Sequence, residues 1–92
     1  MSYRLKFTPE ALEDLARWKR SGQKKVLRKI MALLEELSEH PQTGTGHPEE
    51  LKGDRSGQWS RAIDKKNRLV YIIEDDEVMI AILSMMGHYS DK

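Results

Sequence analysis

The chain has 92 residues, with 16 Lys and Arg against 15 Asp and Glu and a formal net charge of +1. That length supports one hydrophobic core and excludes two separate ones, while the near-neutral balance excludes the strongly basic surface usual for an independent nucleic-acid binder. Cysteine is absent, which removes disulfides, thiolate nucleophiles and cysteine-based zinc sites together.

His40, His47 and His88 show no paired metal-ligand spacing, so no cofactor is expected. The start, "MSYRLKF", has no signal-like apolar core, and no apolar run approaches the roughly 20 residues that cross a bilayer. The expectation is a cytoplasmic protein with no membrane partner. With 38% hydrophobic and 34% charged residues, the chain should fold around a modest core.

In "YRLKF", Tyr3, Leu5 and Phe7 alternate with Arg4 and Lys6, the period of a half-buried strand. "TPEALEDLARWKR" follows, with Thr8 as helix cap, Pro9 at the first helical position and Glu10 in the first turn, all of which start a helix. Its apolar stripe is Leu12, Leu15 and Ala16 with Ala11 and Trp18 alongside, leaving Glu13, Asp14, Arg17 and Arg20 to water. Ser21-Gly22 ends it. From Gln23, the series Val26, Leu27, Ile30, Leu33, Leu34, Leu37 predicts a second helix reaching about His40 and stopped by Pro41.

"PQTGTGHPEE" has no periodicity and reads as a loop. Beyond it the period becomes two. Trp59, Arg61 and Ile63 alternate with Ser60 and Ala62, and "RLVYIIE" and "VMIAILSMM" are β-branched runs split by the acidic turn "EDDE", so neighbouring antiparallel strands are predicted. Lys65-Lys66-Asn67 reads as a hairpin turn. The fold class is therefore α+β: two N-terminal helices packed on a mostly antiparallel sheet of about four to five strands, in the order β-α-α-β-β-β, forming one domain over residues 1–92.

Several residues have the chemistry of a site. Glu49 and Glu50 are either a solvated acid pair or, with Lys52 and Arg55 close behind, a group able to hold a phosphate and take a proton from its neighbourhood. Arg61 and Arg68 lie inside otherwise apolar strand patterns. Each either lays its stem on apolar surface and pairs with a carboxylate or directs its five-donor fork at a bound anion. Trp59 can stack a base or belong to the core. His88 is the side chain best suited to exchange a proton at neutral pH.

Taken in order, "GTGHPEELKGDRSGQWSRAI", "RLVY" and the tail "HY" resemble the Txe/YoeB family of RelE-like toxins, whose pattern is Gly-x-Gly-x-Pro-Glu-x-Leu-Lys, Ser-Gly-x-Trp-Ser-Arg-x-Ile, Arg-Leu-Val-Tyr and His-Tyr. The resemblance extends over almost the whole chain. It implies the toxin half of a bacterial type II toxin–antitoxin pair, a ribosome-dependent endoribonuclease that cuts mRNA in the 30S A site and is held inactive by a cognate antitoxin of YefM/Phd or another type.

The resemblance further implies Glu49 as general base on the ribose 2′-OH and His88 as general acid on the leaving 5′-oxygen. Arg68 would stabilise phosphate charge with help from Lys52 and Arg61, and Tyr89 would position the nucleotide. Operator DNA would be met only through the antitoxin, and a homodimer is a state that members adopt. The alternatives are a non-cleaving relative that acts as ribosome ligand or co-repressor, and a plain interaction domain. Three positions depart from the pattern: Ala62 stands where a second arginine often follows, "MMG" precedes His88, and Ser90-Asp91-Lys92 extend the chain past Tyr89.

Overall fold

The computed structural model describes residues 2–87. In chain order the elements are β1 (Arg4–Phe7), α1 (Pro9–Ser21), α2 (Lys24–Glu39), β2 (Glu49–Glu50), β3 (Trp59–Ala62), β4 (Arg68–Glu74) and β5 (Met79–Ser84), with short 3-10 turns at Gly53–Arg55 and Asp75–Glu77. The two helices, their break at Ser21-Gly22 and the three long C-terminal strands agree with the sequence periodicities. A strand as short as β2 carries no period, and the sequence gives no sign of it.

Thr8 caps α1, its Oγ1 accepting from Ala11 N at 3.1 Å while donating to Leu83 O at 2.9 Å. One hydroxyl thus starts the helix and ties it to β5. Gly22 closes α1 at φ 77°, a left-handed conformation that glycine adopts without penalty. The buried face of α1 is Ala11, Asp14 and Trp18, and Leu12 stays 54% exposed. This corrects the stripe expected from the sequence: Asp14 is buried because its carboxylate has a backbone partner, and Leu12 is rotated out by the turn that brings Asp14 in.

The sheet order is β1-β5-β4-β3-β2. All neighbours are antiparallel except β1 and β5, which run parallel with Leu5 beside Ile80 and Phe7 beside Ile82. The helices cover one face. Ile30, Leu33, Leu34 and Leu37 of α2 and Ala11 and Trp18 of α1 meet Leu69, Tyr71, Ile80, Ile82 and Met85 in a single cluster, where fully burying each large aliphatic side chain contributes about 1.5–3 kcal/mol. Between Val70 and Tyr71 the β4–β5 register shifts, from Ser84 to Ile82. This bulge leaves one β5 residue unopposed and turns the strand end, carrying Met85 into the core. Among the described residues, no helix is long and apolar enough to cross a membrane.

Candidate active site

Strand alternation assigns the site residues to faces. Trp59 and Arg61 of β3 point to the helices, and Ser60 points to the opposite, open face. Across the ladder Ser60 opposes both Glu49 and Val70, and Ala62 opposes Arg68. On the open face, therefore, Glu49, Ser60 and Arg68 come together from three different strands.

Their contacts are specific. Arg68 Nε donates to Ser60 Oγ at 3.0 Å, and its Nη2 lies 3.5 Å from Glu49 Oε1. Ser60 is fully buried, the Glu49 side chain is 58% exposed and that of Arg68 22% exposed. The guanidinium is thus anchored at its inner nitrogen by a buried hydroxyl while its far end approaches a solvent-facing carboxylate. An ion pair so open adds little stability. It does present an acceptor for a proton next to a fixed positive charge, which is what phosphoryl transfer at a hydroxyl requires. Ser60 was not among the sequence candidates. A serine in an otherwise apolar strand, out of phase with the buried Arg61, is the signal that could have found it.

Arg61 does not join this group, which corrects its expected role beside the phosphate. The side chain is completely buried under the helices. Its Nη1 pairs with Glu36 Oε1 at 2.8 Å and also donates to Thr45 O at 3.3 Å, its Nη2 donates to Thr43 O at 2.7 Å and to His40 O, and its Nε donates to Tyr71 OH at 3.2 Å. Every N–H of the guanidinium is used within the fold. A planar five-donor group is the one side chain able to gather three carbonyls, a carboxylate and a phenol around one point.

What Arg61 holds is the connector between α2 and β2. Tyr71 OH adds a bond to Pro41 O at 2.7 Å, and burial pushes the Tyr71 hydroxyl pKa up against the opposing pull of Arg61. Glu36 reaches back to Thr45 N at 2.8 Å. The glycines of "GTGHP" are required here. Gly44 has φ 117° and a Cβ on it would meet the Glu36 carboxyl at 2.7 Å, while Gly46 has φ 86° and a Cβ there would meet Ala62 O at 3.0 Å. The Gly46 carbonyl also accepts from Ala62 N at 2.8 Å, and Glu49 follows three residues later.

Trp59 is half-buried and packs against the helix-side cluster. It lies on the face opposite Arg68, on the side of the sheet that the helices cover. Lys52 is exposed at the start of the Gly53–Arg55 turn, and Arg55 is exposed with its Nη1 donating to Gln58 Oε1 at 3.2 Å. His88 and Tyr89 lie outside the described residues. The chain leading to them is fixed at the Arg68 end of the sheet, because Arg68 N donates to Gly87 O at 2.8 Å. No group of three or more His, Asp or Glu side chains converges as a metal site among the described residues.

Residues 7–89 match the family described as the YoeB-like toxin of bacterial type II toxin–antitoxin system. The chain belongs to this family. It is 44% identical to the toxin YoeB of Streptomyces coelicolor over 77 residues, covering 84% of this chain and 90% of that one. It is 37% identical to toxin YoeB of Escherichia coli over 78 residues, covering 85% and 92%. Among solved structures, a YoeB/ParE toxin from Agrobacterium tumefaciens superposes with a TM-score of 0.87 at 31% identity, covering 94% of this chain and 99% of that one. YoeB in the YoeB-YefM complex from Staphylococcus aureus superposes with a TM-score of 0.79 at 34% identity, covering 97% and 100%. The fold is thus RelE-like, and this YoeB-family chain is a toxin of a type II toxin–antitoxin system.

Proposed function

We propose that this toxin is an endoribonuclease that cuts mRNA in the ribosomal A site and so stops translation. The observation that carries the reading is the meeting of Glu49 and Arg68 over buried Ser60 on the open face, at the sheet end from which Gly87 leads into His88 and Tyr89.

In the reaction, the ribose 2′-oxygen attacks the adjacent phosphorus as its proton passes to the Glu49 carboxylate. The P–O2′ bond forms, the P–O5′ bond breaks, and the departing 5′-oxygen takes a proton from His88. The products are a 2′,3′-cyclic phosphate and a free 5′-hydroxyl. Arg68 stabilises the added negative charge on the phosphate oxygens. The nucleophile belongs to the substrate and already lies beside the reacting atom, so the protein supplies proton transfers and charge, and no step calls on a metal. DNA, which lacks the 2′-hydroxyl, is not a substrate. Lys52 and Arg55 stand exposed at the Gly53–Arg55 turn that follows Glu49 and Glu50 and contact the message backbone, and Tyr89 orients the nucleotide.

The partners follow from the same reading. A cognate antitoxin of the YefM type binds this toxin, as supported by the YoeB-YefM complex from Staphylococcus aureus, and it alone brings the toxin to operator DNA. A homodimer is supported by the YoeB dimer solved from that organism. Such a protein acts in the cytoplasm.

Primer extension on programmed ribosomes tests the reading. Purified protein should create a new 3′ end within the A-site codon, with none on free RNA, and Glu49→Ala should reduce the rate by about 100-fold or more. Ribosome binding without a cut would replace the nuclease by a non-cleaving ribosome ligand.

A further inference from the structure

The turn joining β3 to β4 is built by Asp64 and Asn67. Asp64 Oδ1 accepts from Lys66 N at 2.8 Å and from Asn67 N at 2.7 Å, and Asn67 Nδ2 donates to Asp64 Oδ1 and Oδ2 at 3.0 and 3.2 Å. The Asn67 carbonyl closes the turn by accepting from Ile63 N at 2.9 Å and Asp64 N at 3.2 Å. The chain after β5 braces it: Gly87 N donates to Asn67 Oδ1 at 2.7 Å. Two residues earlier Met85 is fastened to α1, its N–H donating to Asp14 Oδ2 at 3.0 Å and its carbonyl accepting from Trp18 Nε1 at 2.8 Å. None of these bonds uses the side chain of Lys65 or Lys66.

Those two lysines therefore have no part in shaping the turn. Both are exposed, and among the described residues neither ammonium group lies within ion-pair distance of a carboxylate. Neighbouring like charges on a fixed turn repel each other, and the Asp64 carboxylate is already engaged by the turn's own N–H groups. Charge is also uneven along β4. Its first end carries Lys65, Lys66 and Arg68, and its far end runs into Glu74, Asp75, Asp76 and Glu77. The strand between holds the two groups about 20 Å apart, a polarity that directs a polyanion to one end. The cationic end is the one where Arg68 meets Ser60 and Glu49. The turn has no apolar anchor of the kind protein interfaces use, since the exposed large hydrophobic residues, Leu12 and Met31, lie on the helices.

We infer that Lys65 and Lys66 form a subsite for the message backbone, holding phosphates next to the one that faces Arg68. The inference rests on the nuclease reading and extends its substrate contacts to a second turn. The Lys66 Cα lies at most about 7.6 Å from that of Arg68, and a point charge on a flexible four-carbon arm reaches the neighbouring phosphates of the same strand. Such contacts carry no sequence information. They fix how the strand lies across the site, not which codon is cut.

Single-turnover cleavage on programmed ribosomes, with the protein in excess and varied, separates binding from chemistry. The full chain is compared with Lys65→Gln, Lys66→Gln and the double variant. Each meets an unmodified message and messages carrying one neutral methylphosphonate immediately 5′ or 3′ of the scissile phosphate. Salt is varied, and thermal midpoints are recorded.

The double variant should need about 10-fold more protein for half-maximal rate, with its saturated rate within about 2-fold of wild type and its midpoint within about 4 °C. The slope of log affinity against log salt should shrink by about 1.4, from two charges at about 0.7 each on a single strand. One methylphosphonate should weaken wild type by about 3-fold or more and the double variant by less than about 1.5-fold. If the double variant melts early, the single variants carry the same test at a smaller effect. Unchanged affinity, or a loss confined to the saturated rate, would overturn the subsite and leave the nuclease standing. So would methylphosphonate effects that persist undiminished in the double variant, which would place the lysines on ribosomal RNA instead. Wild-type protein that cuts no message would overturn the nuclease reading and the subsite with it.

Discussion

Arg61 and Arg68 are the same residue type on adjacent strands, each within an alternating apolar pattern, and they do opposite things. Arg61 faces the helices, has no exposed surface and spends its guanidinium on Glu36, Tyr71 and three connector carbonyls. Arg68 faces away, anchors one nitrogen on Ser60 and directs its outer edge at Glu49. One residue of register separates them, because Arg61 opposes Leu69 and Ala62 opposes Arg68. Strand phase, not residue type, decides which arginine holds the connector and which one faces the open side of the sheet.

Substitutions at the two arginines should therefore split cleanly into stability and activity. The largest effect belongs to Arg61→Leu. It strips bonds from His40, Thr43 and Thr45 carbonyls and from the Tyr71 hydroxyl at once, and should lower unfolding free energy by about 3–5 kcal/mol in denaturant titration. Arg61→Lys should recover little, having three donors on a point charge in place of a five-donor fork. Equal stability of Arg61→Leu and wild type would dissolve the contrast.

Next is Arg68→Lys, which keeps the charge but not the anchored fork. Cleavage should fall by about 100-fold while stability changes by less than about 1 kcal/mol, read by the same titration beside a ribosome cleavage assay.

The smallest effect is a pH dependence on the open-face side. Desolvation opposes ionisation of Asp64, but hydrogen bonds from Lys66 N and from the Asn67 side chain and backbone outweigh it, and the carboxyl sits below its ordinary value. A carboxyl lowered by folding contributes stability that is present above its unfolded value near 3.8 and is lost as pH falls through the folded one. Acid unfolding followed below about pH 4 should thus be shallower in Asp64→Ala than in wild type. The same protonation weakens the hold on Asn67.

Local chemistry was legible in the sequence, and long-range chemistry was not. Thr8-Pro9, the α2 stripe and the change of period after the connector each act within a few residues, so helices and long strands could be read directly. Glu49 and Arg68 were also legible as candidates, since an acid after a glycine-rich loop and an arginine in an apolar strand are local anomalies. Arg61 looked the same by that measure. Its partners sit up to 25 residues away in sequence, and nothing local separates a buried guanidinium from an anion-facing one. Asp14 was read as solvent-facing for a like reason: its partner, Met85 N, is 71 residues distant. The parallel pairing of β1 with β5 is invisible to periodicity, because alternation specifies which face is buried and not which neighbour is taken.

That pairing has a consequence for synthesis. The last strand to be made lies between the first strand and β4, and the Asp14 and Trp18 grip on Met85 closes only when that segment exists. A nascent chain carrying β1, both helices and β2 to β4 lacks the strand that joins β1 to β4, and with it Ile80, Ile82 and Met85 of the core. β1 and the rest of the sheet therefore become one unit only once β5 has been made.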